Sequence, residues 1–225
     1  MDHGSGYSNP HWRAVDSPLI KKDPFNVPAR GLNIVWGNDS RYWQWNKIKE
    51  EERKIQAEEV AVLLQVNWLE VTGKIDLNNS FVANQAYTIY YVIKFRADAF
   101  GWHSAPIKFK VRVNGEETGH ETRVLESYRV KHDEWHEVPG GDFVVPTKAE
   151  GNVEFGMFET DSDWWKGSMV IAVAAAVICS ALVCCSFFKA VDGFGFGWLL
   201  LVAAASGWQM CCLLVSDAAA RIWLI

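Results

Sequence analysis

The strongest limit on the fold of this chain is a regular alternation of apolar and basic residues. Over residues 107–113 the order is Ile, Lys, Phe, Lys, Val, Arg, Val. Because successive side chains of a strand point to opposite faces, this pattern predicts a strand with one buried face and one wet, basic face. The Asn114-Gly115 dipeptide that follows suits a tight hairpin turn, and we expect the next strand over residues 122–130.

The same period recurs elsewhere in the first two thirds of the chain. Residues 87–95 and 153–157 also alternate, and turn residues separate these short segments. Many short strands joined by turns predict an all-β fold, an antiparallel β-sandwich. Residues 47–59 are the exception: they are charge-rich, with Glu50 four residues before Lys54, and we expect a short exposed helix there.

Charge divides the chain into a polar head and an apolar tail. The whole chain has 22 Lys and Arg against 27 Asp and Glu, a net charge of −5. Beyond Gly167 the charged residues are only Lys189, Asp192, Asp217 and Arg221. A mildly acidic head without a basic stripe argues against nucleic acid as the main partner.

The tail predicts association with a membrane. Residues 169–188 contain only Ser180 and Ser186 as polar residues, and as a helix they could cross roughly 30 Å of hydrocarbon. Residues 198–215 are a second candidate span. Two origins for this C-terminal apolar helical tail stay open: a real anchor, or a gene-model product in which unspliced sequence replaced the natural end.

Cysteine usage and the N-terminus indicate the compartment. All 5 cysteines lie in the tail, from Cys179 onward, so the head has no disulfide option and suits a reducing environment. The first residues lack the basic start and apolar run of a secretory signal. We therefore expect a cytoplasmic or nucleocytoplasmic head, made of a loosely ordered arm over residues 1–28 and a domain over 29–171, followed by the tail over 172–225.

An aromatic cluster around a polar turn is the main functional signal. Trp36, Tyr42, Trp43 and Trp45 flank a turn that contains Asn38 and Asp39. Turns lie at the surface, where an aromatic ring can pack on the apolar face of a sugar while polar side chains bind its hydroxyls. Core packing is the alternative for each ring, and Trp45 is the one that we expect to be structural.

A second group of polar and aromatic residues precedes the tail. Glu159 is followed by Asp161 and Asp163, and then by Trp164, Trp165 and Lys166. Carboxylates beside aromatics suit a sugar site, although a glycosidase pair, a metal-binding loop or a solvated turn has the same composition. A glycosidase needs one acid with a raised pKa, and no residue here is singled out for that role. His132 and His136 stand four apart in a predicted strand, where such residues lie too far from each other to bind one metal ion. We expect no catalysis, no metal and no cofactor.

Several motifs in order resemble one known family, the Nictaba-like lectins of plants, also called the phloem protein 2 family. The resemblance covers residues 29–171. Its motifs are Ala29 to Gly37, Arg41 to Trp45, Glu59 to Leu63, Val66 to Ile75, Tyr87 to Phe95, Trp135 to Val138, Gly151 to Phe155, Phe158-Glu159 and Trp165-Lys166-Gly167. It implies a jelly-roll-like sandwich. Relatives usually end with one more short strand after the last motif, whereas this chain continues into the apolar tail.

The resemblance also implies a function. The expected ligands are glycans or glycoproteins carrying N-acetylglucosamine oligomers, the chitobiose core or mannose-rich N-glycans. Trp36 and Trp43 stand at the family's essential aromatic positions, and Glu159 at its acidic contact. Tyr42 and Trp165 complete the predicted site, with Asn38, Asp39, Trp164 and Lys166 as secondary members. The alternatives are a structural phloem or stress module that binds proteins, a membrane protein with an adaptor head, and self-association as a homodimer.

Overall fold

The chain forms two antiparallel β-sheets that share one hydrophobic core. The computed structural model describes residues 9–16, 25–49, 52, 55, 57–77 and 80–178. The elements in this part of the chain, besides two short 3-10 turns, are β1 (Asn26–Pro28), β2 (Asn33–Ile34), β3 (Trp43–Lys47), β4 (Glu59–Val66), β5 (Leu69–Leu77), β6 (Ala86–Phe100), β7 (Pro106–Val113), β8 (Glu116–Val124), α1 (Glu126–Arg129), β9 (Trp135–Val144), β10 (Gly151–Glu159) and β11 (Lys166–Ile178).

The two sheets divide the strands so that neighbours in sequence often lie in different sheets. The six-stranded sheet has the order β3-β4-β11-β6-β9, with β1 also pairing with β11. The five-stranded sheet has the order β2-β5-β10-β7-β8. The prediction of an all-β antiparallel sandwich is therefore confirmed. Strands β6, β7 and β10 form at the segments whose alternation predicted them.

The basic strand and its hairpin turn form as the sequence predicts. In β7, Ile107, Phe109 and Val111 are buried and the basic residues lie on the other face. Asn114 and Gly115 both have positive φ, 52° and 87°, as a two-residue hairpin turn requires. Because this turn returns the chain at once, β8 begins at Glu116. The prediction of a strand over residues 122–130 was wrong in position, since β8 ends at Val124 and residues 126–129 form α1.

The start of the apolar tail is a strand and not a membrane helix. Residues 166–178 form β11, which lies between β4 and β6 in the six-stranded sheet. The helix predicted over residues 169–188 is therefore wrong for its first part, and the sandwich extends beyond the boundary expected at residue 171. The remainder of that segment, and the second span over residues 198–215, lie outside the described residues. No helix in the described part of the chain is long and apolar enough to cross a membrane.

Burial on both faces explains why β11 has no alternating pattern. One face of β11 contributes Met169 and Ile171 to the shared core. On the other face Val170, Ala172 and Val173 form a second cluster with residues of β4, and Ile48, Ile55 and Ala57 pack against it. A strand that is buried on both faces has a continuous run of apolar residues, and a membrane-spanning helix has the same sequence pattern.

The segment over residues 47–59, which was predicted to be an exposed helix, contributes residues that cover the outer face of β11. Its ends belong to strands, since Lys47 closes β3 and Glu59 opens β4. Residues 50, 51, 53, 54 and 56 of the helix predicted over residues 47–59 lie outside the described residues. The carboxylate of Glu52 accepts a 2.5 Å contact from the Lys94 ammonium of β6, which fixes this segment to the sheet.

Part of the N-terminal arm belongs to the fold. Trp12 and Ile34 exchange backbone hydrogen bonds of 2.9 Å, and β1 pairs with the middle of β11. Residues 1–8 and 17–24 of the predicted arm lie outside the described residues.

A core truncation in β11 should separate a structural strand from an external tail. Ile171→Ala removes a fully buried side chain and should lower the free energy of unfolding by about 2–5 kcal/mol. Val177→Ala, in the same strand but 44% exposed, should change it by about 0.5 kcal/mol or less. Urea denaturation of the full chain measures both. Equal, small effects would contradict the placement of Ile171 in the core.

Candidate functional site

The predicted aromatic turn follows β2 and is held by short-range backbone hydrogen bonds. The amide of Gly37 donates to the Ile34 carbonyl at 3.0 Å, and the amide of Asp39 donates to the Trp36 carbonyl at 2.9 Å. Trp36 has a φ of 61°, a left-handed conformation that is uncommon for a bulky residue. Its amide donates to His11 Nδ1 at 3.0 Å, so the N-terminal segment stabilises the strained position.

Trp36 and Tyr42 form a pair of half-buried rings on this turn. Their centroids are 5.9 Å apart at an interplanar angle of 53°, and the His11 ring lies 4.9 Å from that of Trp36. The Leu64 amide of β4 donates to the Tyr42 carbonyl at 2.8 Å, which positions the second ring. The two rings therefore stand together on a braced turn with part of their surface open to solvent.

Trp43 and Trp45 differ from this pair. Trp43 is 3% exposed and packs in the shared core, so in this structure its faces are not open to a ligand. Trp45 donates its indole N–H to the Gly37 carbonyl at 2.9 Å. The Arg30 guanidinium lies 3.8 Å from the Trp45 ring centroid and 2.7 Å from a Glu59 oxygen. These contacts give Trp45 a structural role beneath the turn.

The polar residues of the turn already have partners. The Asn38 side-chain amide donates to the carbonyls of Asn9 and His11, both at 3.0 Å, and so holds the N-terminal segment in place. The guanidinium of Arg41 donates to Asp39 at 2.7 Å. Hydrogen bonds from the Arg41 side chain and backbone lower the pKa of Asp39 to about 2. Asp39 is thus a fixed anion at neutral pH.

Glu159 and Lys166 form a buried ion pair. The carboxylate ends β10, the ammonium begins β11, and the two side chains are 3% and 0% exposed. The other Glu159 oxygen accepts from the Ser162 amide at 3.1 Å and from its hydroxyl at 2.8 Å. Lys166 donates to the carbonyls of Asn67 and Trp164 at 3.1 and 2.9 Å. The pair therefore fixes the loop over residues 160–165 and the turn between β4 and β5.

That ion pair places several exposed aromatic rings at one end of the sandwich. Trp164 and Trp165 are 57% and 46% exposed on the loop that it holds. Trp68 on the β4–β5 turn is 47% exposed, and Phe100 at the end of β6 pairs with Gly167. We call Trp68, Phe100, Trp164 and Trp165 the exposed ring group. Only the two tryptophans of the loop were expected from sequence.

A glycine allows the close approach of β6 to this loop. Gly101 has a φ of 81°, and a Cβ atom there would lie 2.1 Å from the Trp165 carbonyl oxygen. No side chain fits this position, so the backbone after β6 and the tryptophan loop can contact directly.

The aromatic turn and the exposed ring group lie beside the same turn between β4 and β5. The Val35 amide donates to the Glu70 carbonyl at 3.1 Å, and the Glu70 carboxylate accepts from the Trp68 indole at 3.2 Å. On the other side of β5, Leu69 pairs with Glu159. Trp68 was missed because its segment resembles one long strand; Asn67, a frequent turn residue, was the available signal of the turn.

Metal binding finds no support in the described residues. Across the part of the chain that the structure covers, no three His, Cys, Asp or Glu side chains come together as metal ligands. His136 instead lies 2.9 Å from the Lys131 carbonyl oxygen through Nε2.

Removing Lys166 should be more damaging than removing both charges of the pair. Lys166→Met leaves the Glu159 carboxylate buried without its cation and should lower the free energy of unfolding by about 3–5 kcal/mol. The double variant Glu159→Gln/Lys166→Met keeps an acceptor for Ser162 without a charge and should recover at least about half of that loss. Chemical denaturation provides the measurement. A double variant no more stable than the single one would contradict this account.

The Asp39 carboxylate offers a test of the turn by pH. Arg41→Gln should raise the pKa of Asp39 from about 2 toward its ordinary value of 3.8, because the main hydrogen-bond donor is lost. Since the folded-state pKa is the lower one, the pair stabilises the fold above about pH 3.8 and loses that effect as pH falls toward 2. Carbon NMR of the side-chain carboxyl measures the shift. An unchanged pKa would mean that Arg41 does not hold Asp39 in solution.

Comparisons with known proteins identify the family. A family model described as phloem protein 2 matches residues 22–175. Protein PHLOEM PROTEIN 2-LIKE A1 of Arabidopsis thaliana is 34% identical over 145 residues, covering 63% of this chain and 56% of the relative. Protein PHLOEM PROTEIN 2-LIKE A5 of the same plant is 26% identical over 157 residues, covering 70% and 38%. A protein named lectin from Luffa acutangula is 28% identical over 137 residues, covering 60% and 62%.

The chain thus spans less than two thirds of the length of each of these relatives. Among solved structures, the CBM22-1 xylan-binding domain from Paenibacillus barcinonensis Xyn10C aligns with a TM-score of 0.38 at 12% identity, covering 69% of this chain and 93% of that one. That likeness is too remote to carry an argument. The family match covers most of the chain and agrees with the motifs and their order, and the chain belongs to the phloem protein 2 family.

Proposed function

We propose that the chain binds glycans without changing them, at the end of the sandwich that carries Trp36 and Tyr42. The observation that carries the proposal is this pair of half-buried rings on a strained turn that His11 and Asn38 brace. Partly exposed aromatic rings on a rigid support suit the apolar face of a sugar ring, because little side-chain freedom is lost on binding. A relative that is named a lectin supports the same class of ligand.

The proposed ligands are N-acetylglucosamine oligomers and the core or mannose-rich part of N-glycans. This specificity comes from the resemblance to the family. Trp165 and Trp164 extend the aromatic surface on the neighbouring loop, beside the turn between β4 and β5. Asp39, which Arg41 holds on the turn, is the acceptor that we propose for sugar hydroxyls.

Three of the predicted site residues receive supporting roles in this proposal. Trp43 packs beneath the turn, so it affects a ligand through the positions of Trp36 and Tyr42. Glu159 was predicted to accept hydrogen bonds from the sugar, but its oxygens already bind Ser162 and Lys166 in a buried pair. We infer that Glu159 and Lys166 position the loop that carries Trp164 and Trp165.

Calorimetric titration of the full chain with chitotriose tests the site. Trp36→Ala and Trp165→Ala should each weaken binding at least about fivefold, since stacking contributes roughly 0.5–1.5 kcal/mol in addition to buried area. The matched control is Trp135→Ala, which removes a half-buried tryptophan at the opposite edge of the six-stranded sheet. Its affinity should equal that of the unaltered chain, and circular dichroism should show all three variants folded.

Two results would overturn this proposal in different ways. If chitotriose bound equally to the folded Trp36→Ala and Trp165→Ala variants, the sugar site would lie elsewhere. If no glycan on an array bound the unaltered chain, the protein-interaction alternative would be favoured, with the exposed ring group as the surface for it. Membrane anchoring, dimer formation and a cytoplasmic or nucleocytoplasmic location remain predictions from the sequence.

A further inference from the structure

An open groove crosses the outer face of the five-stranded sheet, away from the shared core. It consists of two adjoining depressions of about 360 and 430 Å³ that have Asn33, Glu70 and Thr72 in common. The first is bounded by the N-terminal segment at Arg13, and the second extends across β5 and β10 to Lys110 of β7. The groove therefore runs across the strands.

Strand pairing arranges the outward-facing side chains of this groove in a grid. The three cross-strand rows, each from β5 through β10 to β7, are Glu70-Phe158-Lys108, Thr72-Gly156-Lys110 and Lys74-Glu154-Arg112. The residues between them along each strand, such as Phe155 and Val111, point into the core and are buried. The grid is thus a rigid surface, because paired strands hold its members at fixed spacing.

The middle row has an apolar floor. Gly156 has no side chain, and the ring of Phe158 fills the space above it: a Cβ atom at Gly156 would lie 2.4 Å from the Cε2 and Cζ atoms of that ring. The Thr72 side chain borders the same position. A floor made of this ring and the Thr72 methyl group, in an open groove, suits a pyranose that packs one face on the sheet, and the hydroxyl of Thr72 offers a hydrogen bond to its rim.

Three of the four basic residues in the grid have a carboxylate partner. Lys74 lies 3.8 Å from Glu154, Arg112 lies 3.9 Å from Glu117, and Lys108 forms an ion pair with Asp161. Lys108 mainly, and Lys110 to a smaller extent, lower the pKa of Asp161. Yet Lys110 has no carboxylate within ion-pair distance among the described residues. It is a half-buried cation that directly flanks the apolar floor.

This pattern selects the charge of the ligand. An ammonium without a carboxylate partner in the described part of the chain, beside a ring-sized floor, complements a sugar unit that carries a carboxylate. Glu70 and Glu154 on either side can accept hydrogen bonds from hydroxyls.

We propose that the groove is a second glycan site, which takes a linear oligosaccharide containing uronic acid. Lys110 binds the carboxylate, Phe158 supports the sugar ring, and Thr72 binds a hydroxyl at the rim. Lys110, Phe158 and Thr72 take no part in the Trp36 and Tyr42 turn, so their role can be tested independently of the function proposed there.

Calorimetry with a galacturonic acid hexamer and its methyl ester, on the full chain, tests the proposal. The two probes have the same rings, and the ester replaces each charged carboxylate with an uncharged methyl ester. The acid should bind at least about tenfold more tightly than the ester, as expected for a charge-assisted hydrogen bond. Lys110→Met should abolish that preference and Lys110→Arg should keep most of it. Lys148→Met, an equal change of charge at an exposed turn, should leave the preference intact.

The contrary results are distinct. Equal affinity for the acid and the ester, or an unchanged acid preference in Lys110→Met, would overturn the proposal. Competition by single-stranded DNA of matched charge at the same concentration would also overturn it, because it would show nonspecific attraction to anions. Binding of the acid hexamer by Trp36→Ala would support it, and loss of chitotriose binding in that variant would concern the other site alone.

Discussion

The buried Glu159–Lys166 pair determines how the two sheets meet. Glu159 is the last residue of a strand in the five-stranded sheet, and Lys166 is the first of a strand in the six-stranded sheet. Charges buried this completely are tolerated only when each is paired and its remaining hydrogen-bonding capacity is used. Ser162 binds one Glu159 oxygen, Lys166 lies against the other, and the carbonyls of Asn67 and Trp164 accept from the ammonium. The crossing between the sheets, the tryptophan loop and the β4–β5 turn are consequently fixed by one interaction.

Tryptophan is used here for several unrelated purposes. The chain contains 12 of these residues. Trp102 is fully buried and donates to the Gly167 carbonyl at 2.8 Å, Trp43 fills the core, and Trp45 packs against Arg30. Trp164 and Trp165 are exposed. Because the indole has both a large apolar surface and a donor, its sequence context does not show which role applies. The surface that remains open is set by neighbours from distant parts of the chain.

The sequence pattern predicted a strand correctly where one face of the strand is buried, and wrongly where both faces are buried. Strand β7 has one buried face, so its alternation was readable and its hairpin turn was correctly placed. Strand β11 has two buried faces, and its continuous apolar sequence was interpreted as a membrane helix. The residues that cover its outer face, Ile48 and Ile55 among them, come from a charged segment that was expected to be an exposed helix. The mistake at β11 could not be corrected locally, because the residues that cover its outer face come from a distant segment.

The sequence by itself determined the strands of period two, the Asn114-Gly115 turn and the family, since these depend on residues close together in the chain or on motifs in order. It also marked the residues around the candidate site. Only the tertiary structure decided that Trp36 and Tyr42 are open while Trp43 is covered, and that Glu159 is paired with Lys166. It also added Trp68 to the exposed rings. The physical reason is distance along the chain: Lys166 and Asn67, 99 residues apart, contact each other only once both sheets have formed.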